Sequence, residues 1–395
     1  MIKGSIVASR PGFSVFFITL LVFLQLSCRD NSEKSHQPGY VNPRVTHSTG
    51  FTAEENDGYH LLKVYNPWQG ARDVIFSYIL ADHDMHLPES LPEGTLIRTP
   101  VRSVICLSTT HIAMLDFIDE TVRIEAVSGR DYIFNPDIRN RIENGEIPDI
   151  GYEMNLDYER ILDLNPDIIL AYGVGAEANA WLNRLNSLGM KVVITGEYLE
   201  GSPLAQAEWI KFIAHFFQKQ DLAAEKFNEV ENDYHKLVDL AANVEKVPMI
   251  MSGLPWRDSW FVPGGRSHFA TLTGDAGGKY LWDGYRGREN FPVDIENVIE
   301  KASTADYWIN IGTALSKKEI ENTDSRLATL RPFRLGNLYN NNARLNRFGG
   351  NDYWESGIMN PNIILRDLIH IIHPDLLPEH EPVYYRKIED DHEFK

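Results

Sequence analysis

The chain has 395 residues, of which 43% are hydrophobic and 24% charged, with a formal net charge of -18. That apolar content supports sizeable cores in two or three domains and excludes a disordered chain, while the acidic balance excludes a phosphate-tracking nucleic-acid binder. Two cysteines cannot form a disulfide framework, and Cys106, set in the apolar run VRSVICL, reads as a buried thiol.

Lys3 and Arg10 precede an unbroken apolar run over residues 13–26, FSVFFITLLVFLQL. The run is short for a membrane span and fits the core of an export signal. Leu26, Ser27 and Cys28 resemble the end of a bacterial lipoprotein signal, in which the cysteine becomes the lipidated N-terminus, although Gln25 departs from the usual small or aliphatic residue. The expectation is therefore a lipoprotein signal over 1–28 and a polar, aperiodic, flexible tether over 29–50.

Residues 58–80 contain two strand-like runs about a turn with Asn66, Pro67 and Gly70, which predicts a hairpin extension over 51–97. The Pro- and Gly-containing stretch 81–100 reads as a loop. From residue 98 to 220 short apolar runs alternate with helical spacing: VRSVICL, IAMLDFI, RIEAVSG, IILAY and a helix over 203–217. This is the signature of an α/β lobe with a parallel sheet. The polar quartet Ser108, Thr109, Thr110 and His111 falls where a strand ends and a helix starts, the edge at which parallel sheets bind ligands.

Residues 221–246 predict one long helix with an apolar side through Ala224, Phe227, Tyr234, Val238 and Ala241, Asp221 as its N-cap and Pro248 beyond its end. At 1.5 Å per residue it is roughly 35 Å long, enough to join two bodies. A second α/β lobe follows over 247–385, with a charged tail over 386–395. Its segment PVDIENVIEKASTADYWINIG matches NLDYERILDLNPDIILAYG of the first lobe, pairing Asp157 with Asp294, Asp167 with Asp306 and Gly173 with Gly312. The fold class is thus α/β, two Rossmann-like lobes joined by one long rigid helix.

No nucleophile elbow, phosphate loop or His-Glu-x-x-His is present in the sequence, so an enzyme is not expected. The loop Pro263-Gly264-Gly265-Arg266-Ser267 is either an anion cradle or a tight turn. His111 and His268 offer two metal ligands without the partners to complete a shell, so no bound metal and no resident cofactor are expected. Trp256, Trp260, Trp282, Tyr285, Tyr353 and Trp354 lie in loops interleaved with Arg257, Arg266, Arg286 and Arg288. Such loops suit a wall for a large planar or chelated ligand.

The stretches STTHIAMLDFI, RIEAVSG, IPDIGYEMNLDYERILDLNPDIILAYG and AEWIKFI make residues 101–378 resemble the substrate-binding proteins of bacterial ABC importers for iron-siderophore, haem and cobalamin. The resemblance implies two lobes with little closure, a ligand held between them, and ligand loops at 108–111 and 264–268. The expected ligand is an iron or cobalt chelate, a ferric siderophore or corrinoid, lined by Thr110, His111 and Tyr132 on one side and Trp256, Trp260, Arg266 and Tyr285 on the other. The resemblance further implies docking to an ABC transporter permease dimer through one acidic residue per lobe, at Glu177 and, by internal symmetry, Glu319. A monomer at the cell envelope, anchored through Cys28, is the expected form. The region before residue 101 and the segment FGGNDYWESG depart from the shorter members of that family. The alternatives are an exported chelate-processing enzyme on the same frame and a zinc or manganese receptor.

Overall fold

The computed structural model describes residues 45–390 except 153–154, 174–177 and 257–258. Four strands open the described chain: β1 (Phe51–Asn56), β2 (Tyr59–Tyr65), β3 (Ile75–Asp82) and β4 (Thr95–Thr99). β1, β2 and β3 are antiparallel, and β4 joins β3 in parallel, so the extension is a four-stranded sheet and part of the expected loop 81–100 is a strand. Alternation in β2 turns Leu62 and Val64 inward, and with Phe51, Tyr78 and Ile97 they enter the core of the first lobe. Tyr78 fixes the junction, because its buried hydroxyl accepts the Ile194 N–H at 2.8 Å.

The first lobe comprises β5 (Val104–Cys106), α1 (Thr109–Phe117), β6 (Ile124–Val127), α2 (Pro136–Glu143), α3 (Tyr158–Leu164), β7 (Ile168–Tyr172), α4 (Ala178–Ser187) and β8 (Val192–Thr195). Its sheet runs β6-β5-β7-β8, all parallel, and its strands are buried almost throughout, as a sheet covered on both faces must be. The expected single helix over 203–217 is two, α5 (Pro203–Ala207) and α6 (Trp209–Phe217), meeting at the fully buried Glu208. α6 is buried on every side between the two sheets of this half.

The linking helix is α7 (Gln220–Ala241), 22 residues or about 33 Å. Lys219 is its N-cap and Asp221 sits instead in the first turn, where its charge meets the positive end of the helix dipole. Ala223, Phe227, Val230, Tyr234, Leu237 and Ala241 are its buried stripe, spaced alternately four and three apart. Ala223 and Phe227 belong to the first lobe's core, while Tyr234, Leu237 and Ala241 belong to the second's. One rigid element is therefore packed into both hydrophobic cores.

The second lobe contains β9 (Met249–Met251), β10 (Pro255–Trp256), β11 (Ser259–Val262), α8 (His268–Asp275), β12 (Lys279–Tyr280), β13 (Phe291–Val293), α9 (Ile295–Ala302), β14 (Tyr307–Ile309), α10 (Lys317–Thr323), α11 (Arg331–Leu335), β15 (Leu338–Asn340), α12 (Pro361–Ile372) and β16 (Arg386–Lys387). Its main sheet is β12-β9-β14-β15-β16, parallel except for β16, and β10-β11-β13 form a separate antiparallel sheet. The expected charged tail therefore starts as a strand, with Ile388 fully buried behind it. The sequence repeat has a structural counterpart. Asp167 accepts the Arg102 N–H at 2.7 Å at the start of β5, and Asp306 accepts the Met249 N–H at 2.8 Å at the start of β9. In each lobe the aspartate before one strand ties down the start of its parallel neighbour.

The tether expectation is corrected at residues 45–50. The backbone N–H groups of Thr46, His47 and Ser48 donate to Glu208, and those of Thr49 and Gly50 donate to Glu200. Two carboxylates thus staple this segment across the body of the protein.

Candidate functional site

The first-lobe sheet reverses its winding at β5: the chain leaves β5 for β6 on one side, then crosses to β7 on the other. The carboxyl ends of these strands form the crevice where doubly wound sheets hold ligands. A cavity of about 240 Å³ opens there, lined by Leu107, Ser108 and Thr109 after β5, Ser128 after β6, Tyr172 at the end of β7, Tyr132 and Tyr152 from the loops, and Gly349, Asn351 and Trp354 from the second half of the chain. Four aromatic rings and several hydroxyls face a space with no charged side chain among the described residues of its lining.

Gly129 shapes the floor. It has φ of +69°, and a Cβ there would meet the Tyr152 ring at 2.9 Å and the Tyr132 ring at 3.1 Å, so both rings approach bare backbone that only glycine leaves open. Their ring centroids are 5.4 Å apart. Ser108 caps α1 by accepting the Thr110 N–H at 3.2 Å.

The roof is a strap over residues 344–359, laid onto the first lobe by bonds that span the chain. Glu355 accepts the N–H groups of Phe134 and Asn135, both at 2.7 Å, and the Asn346 amide donates to the carbonyls of Asp131 and Ile133. A Cβ on Gly350 would lie 2.5 Å from the Tyr132 carbonyl oxygen, so only glycine allows this approach. Arg344 lies over the Phe134 ring, and Ile358 and Met359 join the first lobe's core.

Of the expected ligand residues, Tyr132 lines this cavity and is 57% exposed. Thr110 and His111 do not line it. α1 begins at Thr109, and side chains on a helix rotate by about 100° per residue, so Thr109 faces the cavity while its successors turn away. The Thr110 hydroxyl donates to Glu197 at 2.8 Å, and His111 is fully buried with Nε2 3.0 Å from the Thr195 hydroxyl. Burial pushes the His111 imidazole down to about 3, so it is neutral, and His268 is held down to about 4 for the same reason.

Trp260 is corrected from the cleft to the core. It is fully buried, its indole N–H donates to the Ser252 carbonyl at 3.1 Å, and its ring centroid lies 5.6 Å from that of Trp308. In β11 the inward residues are Trp260 and Val262, which leaves Phe261 as the exposed one. Trp282 and Tyr353 are core residues as well. Tyr285 is half exposed and stacked on Phe291 with centroids 3.8 Å apart, and Arg266 is exposed; neither lines the cavity. The Arg266 loop is a turn: the N–H groups of Gly265, Arg266 and Ser267 already donate to Tyr285, Gly287 and Gly264. The side chain of Trp256 lies outside the described residues, as do Glu177 and Cys28. Glu319 is exposed, and its carboxylate accepts the Leu315 N–H while its own N–H donates to Ser316, a reciprocal cap on α10.

Tyr152, Tyr172, Ser128 and Asn351 complete the lining without having stood out in the sequence. Their signal was positional: Ser128 and Tyr172 each occupy the carboxyl end of a parallel strand.

Two α/β lobes sharing one helix, with an aromatic cavity at the switch point of the first sheet, define a ligand-binding protein rather than a structural scaffold. The model of the periplasmic binding protein family matches residues 104–325, more than half of the chain, and the chain belongs to that family. An uncharacterized lipoprotein of Methanocaldococcus jannaschii is 25% identical over 301 residues, covering 74% of this chain and 70% of the relative. Among solved structures, a periplasmic heme binding protein from Pseudomonas aeruginosa shares the fold with a TM-score of 0.54 at 15% identity, covering 75% of this chain and all of that one. A periplasmic binding protein from Veillonella parvula does so with a TM-score of 0.54 at 12% identity, covering 82% and 98%.

Proposed function

We propose that this protein is an extracytoplasmic receptor that captures a metal chelate, a ferric siderophore or a corrinoid, between its lobes and delivers it to an ABC importer permease, while held at the cell envelope through lipidated Cys28. The carrying observation is the cavity at the β5 switch point, where Tyr132, Tyr152, Tyr172 and Trp354 surround a hydroxyl-bearing space roofed by the strap, with no charged side chain among the described lining residues. Aromatic faces and hydroxyls suit the conjugated or carbonyl-rich surface of a chelate. Family membership supports the receptor role, the heme-binding structural neighbour supports the chelate class, and the lipoprotein name of the archaeal relative supports the anchor.

A receptor for a bare zinc or manganese ion between the lobes would need His111 as a ligand, and His111 is enclosed against Thr195. A chelate-processing enzyme would need an acid-base pair in the cavity, and among the described residues the lining offers neither a carboxylate nor an imidazole.

The test is a titration of the purified protein with cobalamin, a ferric hydroxamate and a ferric catecholate, followed by aromatic fluorescence, together with mass spectrometry and visible absorption of the protein as isolated. Quenching by one chelate and none by free metal supports the reading. Silence toward all three, with turnover of a chelate or cleft binding of a bare ion lost on His268→Asn, overturns it.

A further inference from the structure

We infer that His47, Glu231 and His235 form a site for a divalent transition-metal ion of the zinc type, which clamps residues 45–50, ahead of β1, onto the linking helix. One ligand atom from each residue lies within 4.8 Å of the other two. Glu231 and His235 stand four apart on α7, hence on one face of the helix, while His47 arrives on the stapled segment that precedes β1. His47 Nε2 is 2.5 Å from Glu231 Oε1, and His235 Nε2 is 4.0 Å from the same oxygen.

Ligand atoms about 2.0–2.1 Å from a tetrahedral zinc are roughly 3.3 Å apart, so the two observed separations bracket the spacing a bound ion would impose. Small side-chain rotations, His235 toward Glu231 and the His47 ring away from it, would close the set. Two imidazoles and a carboxylate are the donor set that suits zinc, with copper and nickel as its competitors, and does not suit magnesium or calcium. Three protein ligands leave a further position for water. A cavity of about 230 Å³ includes His47, His235, Tyr234 and Asp275 in its lining, so the ion would be reachable from solvent.

The backbone around His47 is already fixed. The N–H groups of Thr46, His47 and Ser48 are all bound by Glu208, so the imidazole is presented to α7 by a rigid segment and little ordering remains when the ion binds. The site lies on the outer side of the helix joining the lobes, and none of its residues lines the aromatic cavity. Its occupancy is independent of the chelate and would secure residues 45–50 against the linking helix.

The full-length protein, purified in detergent and stripped with EDTA, is dialysed against zinc chloride. The expected result is about one tight equivalent per chain, a rise in Tm with zinc, and slower proteolysis within residues 45–50. His235→Ala, at a side chain 56% exposed, folds as the parent and weakens zinc binding by about tenfold or more, as does His47→Ala, whereas His268→Asn leaves it unchanged. Absence of a tight equivalent overturns the site. So does zinc binding that survives both His47→Ala and His235→Ala, or that is lost with His268→Asn, which would move the ion to the cleft.

Discussion

Glu355 accepts the Phe134 N–H at 2.7 Å across 221 residues of chain, and this bond, with its twin to Asn135, is where the strap is seated on the first lobe. Glu355→Ala leaves two part-buried N–H groups without an acceptor, a loss of about 2–4 kcal/mol. Chemical denaturation should record that loss together with easier proteolysis of residues 344–359.

The same carboxyl gives a pH dependence. Burial raises Glu355 from 4.5 to about 7; the two N–H bonds oppose the shift, and the neighbouring Asp352 and Asp116 add to it. The folded state therefore holds this proton more tightly than the unfolded one. Its contribution is complete below about 4.5 and is lost as pH rises through 7, on the order of 3 kcal/mol in all. Stability of the native protein relative to Glu355→Gln should fall between pH 4.5 and 7; a difference that is flat or rises over that window would contradict the assignment.

His111 works in the opposite direction. Its imidazole is forced down to about 3 by burial, so the folded state resists protonation that the unfolded chain accepts near 6.5. The stability it confers is present above 6.5 and is lost as pH falls toward 3. An NMR titration should show the His111 ring neutral at pH 5, while acid unfolding begins below 6.5.

The linking helix was legible because its stripe is local: Phe227, Tyr234 and Ala241 recur at heptad spacing, and the aspartates 167 and 306 mark a duplicated strand start. The cavity was legible only as an edge. Ser108 to His111 lie at the right strand end, but which of them faces the ligand depends on the residue at which α1 begins, and a shift of one or two positions exchanges Thr109 for His111. Trp260 misleads for a similar reason, since a two-residue period fixes its face and counting aromatics does not tell which face is buried. The strap was legible only as the departing segment FGGNDYWESG with Trp354 in it, and its seat on the first lobe was not, because its partners lie more than two hundred residues away.

Rigidity between the lobes follows from α7, whose Phe227 and Tyr234 are anchored in different cores, and from α12, whose Arg366 pairs with Asp233 of α7 at 2.7 Å. Hinge bending would have to break one core or the other, so free and loaded forms should superpose to within about a few Å. Solution scattering with and without the chelate should give closely similar radii of gyration, and a large contraction on loading would refute this.

Trp354 and Trp260 separate binding from folding. Trp354 is 59% exposed and lines the cavity, so Trp354→Ala removes a ring from the ligand wall while changing stability by no more than about 0.5 kcal/mol. Trp260 is fully buried against Trp308, and Trp260→Ala opens a void in the second lobe at about 3–5 kcal/mol. Stacked aromatic contacts commonly contribute about 1–3 kcal/mol each, so Trp354→Ala and Tyr132→Ala should each raise the Kd for the chelate by roughly one order of magnitude with Tm unchanged. Trp260→Ala should lower Tm and leave the affinity of the folded fraction intact. Fluorescence titration beside thermal denaturation reads both quantities on each variant. If Trp260→Ala loses affinity at full stability while Trp354→Ala binds normally, the ligand sits against the second lobe's antiparallel sheet and not beneath the strap.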